Sequence, residues 1–280
     1  MDGKVSVIMT SFNHGKYIAE AIDSVVDQTY KNWELVIVDD GSNDDSVKII
    51  KGYVDGHPNI KLYVHPGSAN KGIPATHALA LSKISGEYVA YLESDDIWDK
   101  HNLELKIAAF RKHPEVAVIY NDLQTIVEDV DADSKAGYVE ICRRTGGKYR
   151  EPFIATRELL ERNIVPTFSV AATKSELLRK MVLPENHKIW LDWWLWNQMA
   201  IEGKFLYLSK RLTKWRIHKS SGNQQFVGNI DHDKYLVLYK KDLLRLLMRK
   251  ILRVKGVANK LAVIVTSMVN YCHFLSYSLC

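Results

Sequence analysis

The first hundred residues switch repeatedly between two hydrophobic periods, and that alternation restricts the fold more than any other feature. "KVSVIMTSF" is an apolar, β-branched run of the kind buried on both faces. "GKYIAEAIDSVVDQ" follows, with Tyr17, Ile18, Ala21, Ile22, Val25 and Val26 at helical spacing, and "WELVIVDDGS" returns to a buried strand that ends in acids and a turn. Helical "SVKIIKGYV", strand-like "IKLYVHP", helical "IPATHALALSKI" and strand "EYVAYLE" extend the pattern. Strands alternating with helices predict an α/β fold, a Rossmann-like and mainly parallel central sheet with helices on both faces.

In such sheets ligands bind beyond the carboxyl ends of the strands, where loops and helix N-termini converge. Two acidic groups fall there. Asp39 and Asp40 end "ELVIV", and Glu93, Asp95 and Asp96 end "YVAYL", so both clusters lie along one rim. Clustered carboxylates at a buried strand end repel one another and lose hydration. A divalent cation, basic side chains or solvent must offset that cost.

Beyond Asp99 the sequence predicts a helix in "KHNLELKIAAFRKHP", a strand in "VAVIYND", an exposed loop or hairpin over residues 128–137, a helix in "REPFIATRELLERNIVP", and a strand and helix in "TFSVAATKSELLRKM". "LDWWLWNQMAIEG" reads as a helix with Asp192 at its N-cap and Gly203 as its stop, and "FLYLSKRLTKWRIH" as a strand. Asp96 is placed either in the acidic cluster at the rim or as the cap of a helix beginning near Trp98.

A chain of 280 residues, 46% hydrophobic, has enough apolar material for a sizeable core. Its three cysteines have no C-x-x-C spacing, which suggests neither a zinc site nor a disulfide framework and favours a reducing compartment. "MDGKVSVIMTSFN" lacks the basic and long apolar regions of a secretory signal, so the expected location is cytoplasmic. The net charge of +5 divides unevenly: Lys234 to Lys260 carry nine Lys/Arg against Asp242, or +8, and the remainder is −3. That distribution indicates a catalytic body with a basic attachment segment, and no nucleic-acid partner.

In order and spacing, "VSVIMTSFN", "AIDSVVDQTYKNWELVIVDDGSNDDS", "NKGIPATHALALSKISGEYVAYLESDDIW" and "WLDWWLWNQMAIEGKFLYLSKRLTKWRIHKSS" resemble the family 2 glycosyltransferases of GT-A fold, most closely the spore-coat type over the first fifty residues. The resemblance covers roughly residues 4–222. It implies that Thr10 and Asp40 meet the donor base, with Asp39 and Glu93 beside the donor nucleotide. A carboxylate there can accept the imide N–H and ribose hydroxyls. Asp95 matches the metal-coordinating acid of the family's D-x-D motif, implying Mn²⁺ or Mg²⁺ as cofactor. Glu93 departs from the usual aspartate. His218 in "KWRIHKSS" is the implied second ligand, with Arg216 and Lys71 near the diphosphate. Thr76 and His77 stand where many relatives carry Arg-Asn, and His77 reads as either a phosphate contact or an ordinary helix histidine. Asp192 falls on the general base, with Leu191 replacing a neighbouring acid, and Trp194 is a candidate sugar-stacking surface.

The implied activity is inverting transfer from a nucleotide-diphosphate donor, expected to be a UDP-sugar, to a hydroxyl of a surface glycan or lipid-linked saccharide. A sugar-phosphate nucleotidyltransferase and a non-catalytic glycan- or lipid-binding relative remain as alternatives. Residues 1–225 are expected to form the GT-A domain and residues 226–280 a basic helical tail. In that tail Leu236, Leu243, Leu247, Ile251 and Val254 share one side, which suits either the inner face of the cytoplasmic membrane or packing on the protein. The final twenty residues carry no charged side chain, but their polar residues argue against a bilayer span.

Overall fold

A computed structural model describes residues 3–129, 149, 151–185, 187, 190–219 and 232–252. The loop expected at 128–137 lies outside these beyond residue 129, as does the whole of 253–280. The strands are β1 (Val5–Ser11), β2 (Trp33–Asp39), β3 (Ile60–Val64), β4 (Tyr88–Tyr91), β5 (Ile97–Trp98), β6 (Val116–Val127), β7 (Ala171–Lys174) and β8 (Lys204–Ile217). They form one sheet in the order β3-β2-β1-β4-β7-β6-β8-β5. The first four in that order are parallel. β7 runs antiparallel to both β4 and β6, β6 pairs parallel with β8, and β5 runs antiparallel along β8.

The helices are α1 (Ile18–Val26), α2 (Ser46–Gly56), α3 (Ile73–Lys83), α4 (Asn102–Lys112), α5 (Thr156–Glu161), α6 (Ser175–Leu178), α7 (Leu191–Glu202) and α8 (His232–Leu252). Successive residues of each central strand point to opposite faces, and both faces are covered. Val7 and Met9 of β1 join Leu35 and Ile37 of β2 in one apolar cluster with α1 and α4, whereas Ile8, Val36 and Val38 enter a second cluster with α3, α5, α7 and α8. Unbroken apolar strands, rather than alternating ones, follow from this double burial.

Two expectations about helix starts are corrected. Ile97 and Trp98 form β5 and not the first turn of a helix, because Trp98 is pinned as a strand: its N–H donates to Ser24 Oγ and its indole N–H to Ser169 O. Asp96 therefore caps nothing. α7 begins at Leu191 after Trp190 in a left-handed conformation (φ 58°), so Asp192 is the second helical residue and not the cap. The helix does stop before Gly203, where a Cβ would come within 3.0 Å of Ala117 Cβ and Glu115 O at the entry to β6.

α8 lies across α7 with Tyr239, Leu243, Leu244 and Leu247 buried. Tyr239 stacks on Trp193 (5.3 Å between centroids) and its hydroxyl donates to Trp190 O at 3.2 Å. The apolar side of this helix is thus taken up by the protein's own core, while Lys241, Arg245 and Arg249 face outward. Among the described residues, no helix is long and apolar enough to cross a membrane.

Candidate functional site

The parallel strands deliver their acids to one rim. Asp39 ends β2 opposite Ser11, and Thr10, half-buried, lies opposite Val38. The two aspartates then diverge. Asp39 is 1% exposed, and its oxygens accept from Gly41 N, Ser42 N and Ser42 Oγ. It builds the turn that follows β2. Asp40 Oδ1 and Oδ2 accept the Lys71 and Gly72 backbone N–H groups at 2.7 and 2.9 Å, and His65 Nε2 stands 3.5 Å from Oδ1. Each oxygen keeps a second lone pair for another donor. Gly41 permits this arrangement at φ 84°, since a Cβ there would lie 2.6 Å from Ser68 O.

β4 ends directly in the second cluster. Asp95 Oδ2 is 3.1 Å from His218 Nε2 and 4.0 Å from His14 Nε2. His14 Nδ1 in turn is 2.7 Å from Ser94 Oγ. The ligand-capable atoms of His14, Asp95 and His218 all lie within 4.8 Å of one another. The two imidazoles hold the Asp95 carboxyl below the usual range despite its burial. Its neighbours move the other way. Burial, followed by the charge of Asp95, pushes Glu93 up to about 8. Asp96, fully buried, is also raised, first by burial and then by Asp95 and Glu93. Two imidazoles and one carboxylate aimed at one point form a donor set that suits a divalent first-row cation.

One short segment joins the first turn of α7 to the acid cluster: Asn163 bonds Asp192, and Thr167, four residues on, bonds Glu93. Asp192 Oδ2 accepts from Asn163 Nδ2 at 2.8 Å, and burial pushes its carboxyl up to about 6. Glu93 is held by Thr167 Oγ1, which donates to its Oε2, while Ser169 Oγ accepts the Glu93 N–H at 2.9 Å.

Two other expected contacts are corrected. Arg216 does not face the open rim: its Nε donates to Asp95 O, its backbone N–H to Asp96 Oδ1, and its terminal nitrogens to Glu128 and Glu20, with the guanidinium over the Tyr17 ring. With those donors engaged, Arg216 ties the end of β8 to the acid loop. Trp194 is 5% exposed, its indole N–H donates to Val182 O, and its ring packs near His187 and Tyr239. A side chain in that position cannot stack on a sugar. Trp193 and Trp196 are buried too. His77 is a core residue, stacked on Phe168 and pushed down to about 4 by burial. Lys71 remains with an exposed side chain.

His14 is the member that the sequence reading overlooked. Its signal was its position, just beyond the carboxyl end of β1 in "SFNHGKY", on the rim already marked by Asp39 and Asp95.

Residues 6–172 match the model of the family described as glycosyl transferase family 2, and the chain belongs to that family. A glycosyltransferase of Nostoc sp. is 30% identical over 225 residues, covering 79% of this chain and 66% of the relative. The Escherichia coli enzyme WfgD, a UDP-Glc:α-D-GlcNAc-diphosphoundecaprenol β-1,3-glucosyltransferase, is 33% identical over 150 residues, covering 52% of this chain and 57% of WfgD. The chain thus spans less than two thirds of either relative's length. Among solved structures, S. aureus TarS 1–349 in complex with UDP-GlcNAc superposes with a TM-score of 0.71 at 20% identity, over 95% of this chain and 71% of TarS. The Pyrobaculum calidifontis mannosyltransferase PcManGT, in complex with GDP-Man and Mn²⁺, gives 0.58 at 19% identity, over 79% and 59%. The fold is GT-A.

Proposed function

We propose that the chain transfers a sugar, with inversion, from a UDP-linked donor to a hydroxyl of a lipid-linked or surface saccharide. The observation that supports this reading most directly is the gathering of Asp95, His218 and His14 at the carboxyl end of β4, on the sheet rim that also carries Asp40. TarS, which binds UDP-GlcNAc, and WfgD, which uses UDP-Glc and a diphosphoundecaprenol acceptor, make the donor and acceptor classes concrete.

Asp40 offers its remaining lone pairs to the base or ribose, with Thr10 beside it on the neighbouring strand. Asp95 and His218 would hold Mn²⁺ or Mg²⁺, which when bound supplies Lewis-acid stabilisation of the leaving diphosphate. Lys71, at the edge of the loop that Asp40 organises, adds positive charge near the phosphates. Glu93, whose Oε2 accepts from Thr167 Oγ1, stands beside the donor nucleotide. Asp192 accepts the proton of the attacking hydroxyl; a single displacement without a covalent intermediate inverts the anomeric centre. Asn163 Nδ2 donates to Asp192 Oδ2 and so orients the carboxylate.

A panel of UDP- and GDP-sugars, assayed for hydrolysis and transfer with Mn²⁺ and then with EDTA, tests the reading. Turnover of one UDP-sugar, lost in EDTA and in Asp95→Ala, is the expected result. Activity undiminished by EDTA would remove the metal from the mechanism, and a preference for sugar 1-phosphates would favour the nucleotidyltransferase alternative. Asp40→Ala is expected to weaken UDP binding, measured by calorimetry, more than it lowers the rate at saturating donor, because that contact is made equally before and during reaction.

A further inference from the structure

We propose that His14 is a third protein ligand of the catalytic cation, so that the site holds it through two imidazoles and one carboxylate. The inference rests on the transferase reading above and deepens it at the metal. Three features of this chain support it. First, His14 Nε2 and His218 Nε2 both face the same oxygen, Asp95 Oδ2, at 4.0 and 3.1 Å. Second, the remaining ring nitrogen of His14 is engaged: Nδ1 stands 2.7 Å from Ser94 Oγ. A ligating imidazole needs its far nitrogen protonated and bonded to an oxygen, which fixes the tautomer and the aim of the ring. Third, the rings are held apart and in place, with centroids 5.7 Å from each other at 76°, and with Tyr17 packed on both. Tyr17 is itself covered by the Arg216 guanidinium.

The pairing of His14 with His218 has a consequence for which ion is chosen. Mg²⁺ prefers oxygen ligands and gains little from imidazole, whereas first-row divalent ions bind nitrogen well. Two imidazoles therefore bias the site toward Mn²⁺ over Mg²⁺, and His14 supplies half of that bias. Removing it should cost Mn²⁺ more than Mg²⁺.

Electron spin-echo envelope modulation of Mn²⁺ bound to the full-length protein with UDP reads this directly, since each ligating imidazole imprints a ¹⁴N coupling on the manganese spin. Two histidine nitrogens are expected in the native protein, one each in His14→Gln and His218→Gln, and none in the double variant. Calorimetry with UDP present should show His14→Gln weakening Mn²⁺ by at least about tenfold while Mg²⁺ changes by less than about threefold. Ser94→Ala should give an intermediate loss of Mn²⁺ affinity. A single nitrogen in the native spectrum, or an unchanged spectrum and Mn²⁺ affinity in His14→Gln, overturns the assignment. So does failure of Mn²⁺ to bind. UDP affinity measured in EDTA reports separately on folding and on the donor site: if it is intact while the manganese results fail, only the His14 assignment falls, and if UDP does not bind, the transferase reading falls with it.

Discussion

Asp192→Asn is expected to lower the rate of sugar transfer by about 10²–10⁴-fold, the range for loss of a positioned general base, while donor affinity persists. The substitution is close to isosteric, and the amide oxygen can still accept from Asn163 Nδ2 in the contact now 2.8 Å long. What it removes is proton acceptance. Burial pushes the Asp192 carboxyl up to about 6, so the base form grows as pH rises through that value. Native kcat should climb with pH through about 6 and level off above it, and this rise should vanish in the Asn variant. NMR of the product should show the anomeric configuration opposite to the donor's. Retention of configuration, or a near-normal rate in Asp192→Asn, would assign the base elsewhere.

Removal of residues 232–280 should yield insoluble or unfolded protein. Tyr239, Leu243, Leu244 and Leu247 are all buried against α7, and each fully buried large apolar side chain is worth about 1.5–3 kcal/mol in transfer free energy. Truncation would also uncover Trp193 and Trp194, leaving an aromatic patch open to association. A graded version avoids the collapse: Tyr239→Ala should cost about 3–5 kcal/mol, lowering Tm by roughly 10 °C for a chain of this size. Full solubility and native Tm in the truncated protein would show that α8 contributes nothing to the core. Membrane attachment is better tested by reversing Lys241, Arg245 and Arg249, whose side chains point outward. Salt-sensitive binding to anionic vesicles should be lost in that variant with the fold retained.

The parallel half of the sheet could be read from sequence because its signals are local: each strand of β1 to β4 is an unbroken apolar run bounded by a turn. The rim positions of Asp40 and Asp95 could be read for the same reason, since a strand end fixes where its next residues lie. The errors fall where distant segments compete for one side chain. Arg216 reads as an anion contact until Glu20 and Glu128, far from it in sequence, are seen to reach it first. Trp194 reads as a sugar platform until α8 is placed over α7. "DIW" reads as a helix start because nothing local reveals that Ile97 and Trp98 will pair with Lys214 and Thr213. His14 shares a rim with Asp95 by topology, but its ring reaches the carboxylate only through the fold of the β1–α1 turn.

The strand order also imposes a schedule on synthesis. β3, β2, β1 and β4 are contiguous in the sheet and come from the first 91 residues, so the rim that carries Asp40 can be assembled while most of the chain is still unmade. β4 then presents an open edge until β7, Ala171–Lys174, emerges to cover it, and β5 has no neighbour until β8 arrives more than a hundred residues later. An uncovered edge of this kind is a template for pairing with another chain. The interval between β4 and β7 is therefore the span of translation in which a nascent chain is most exposed to aggregation, and a stalled ribosome there would release a half-built sheet whose rim carries Asp40 and lacks His218.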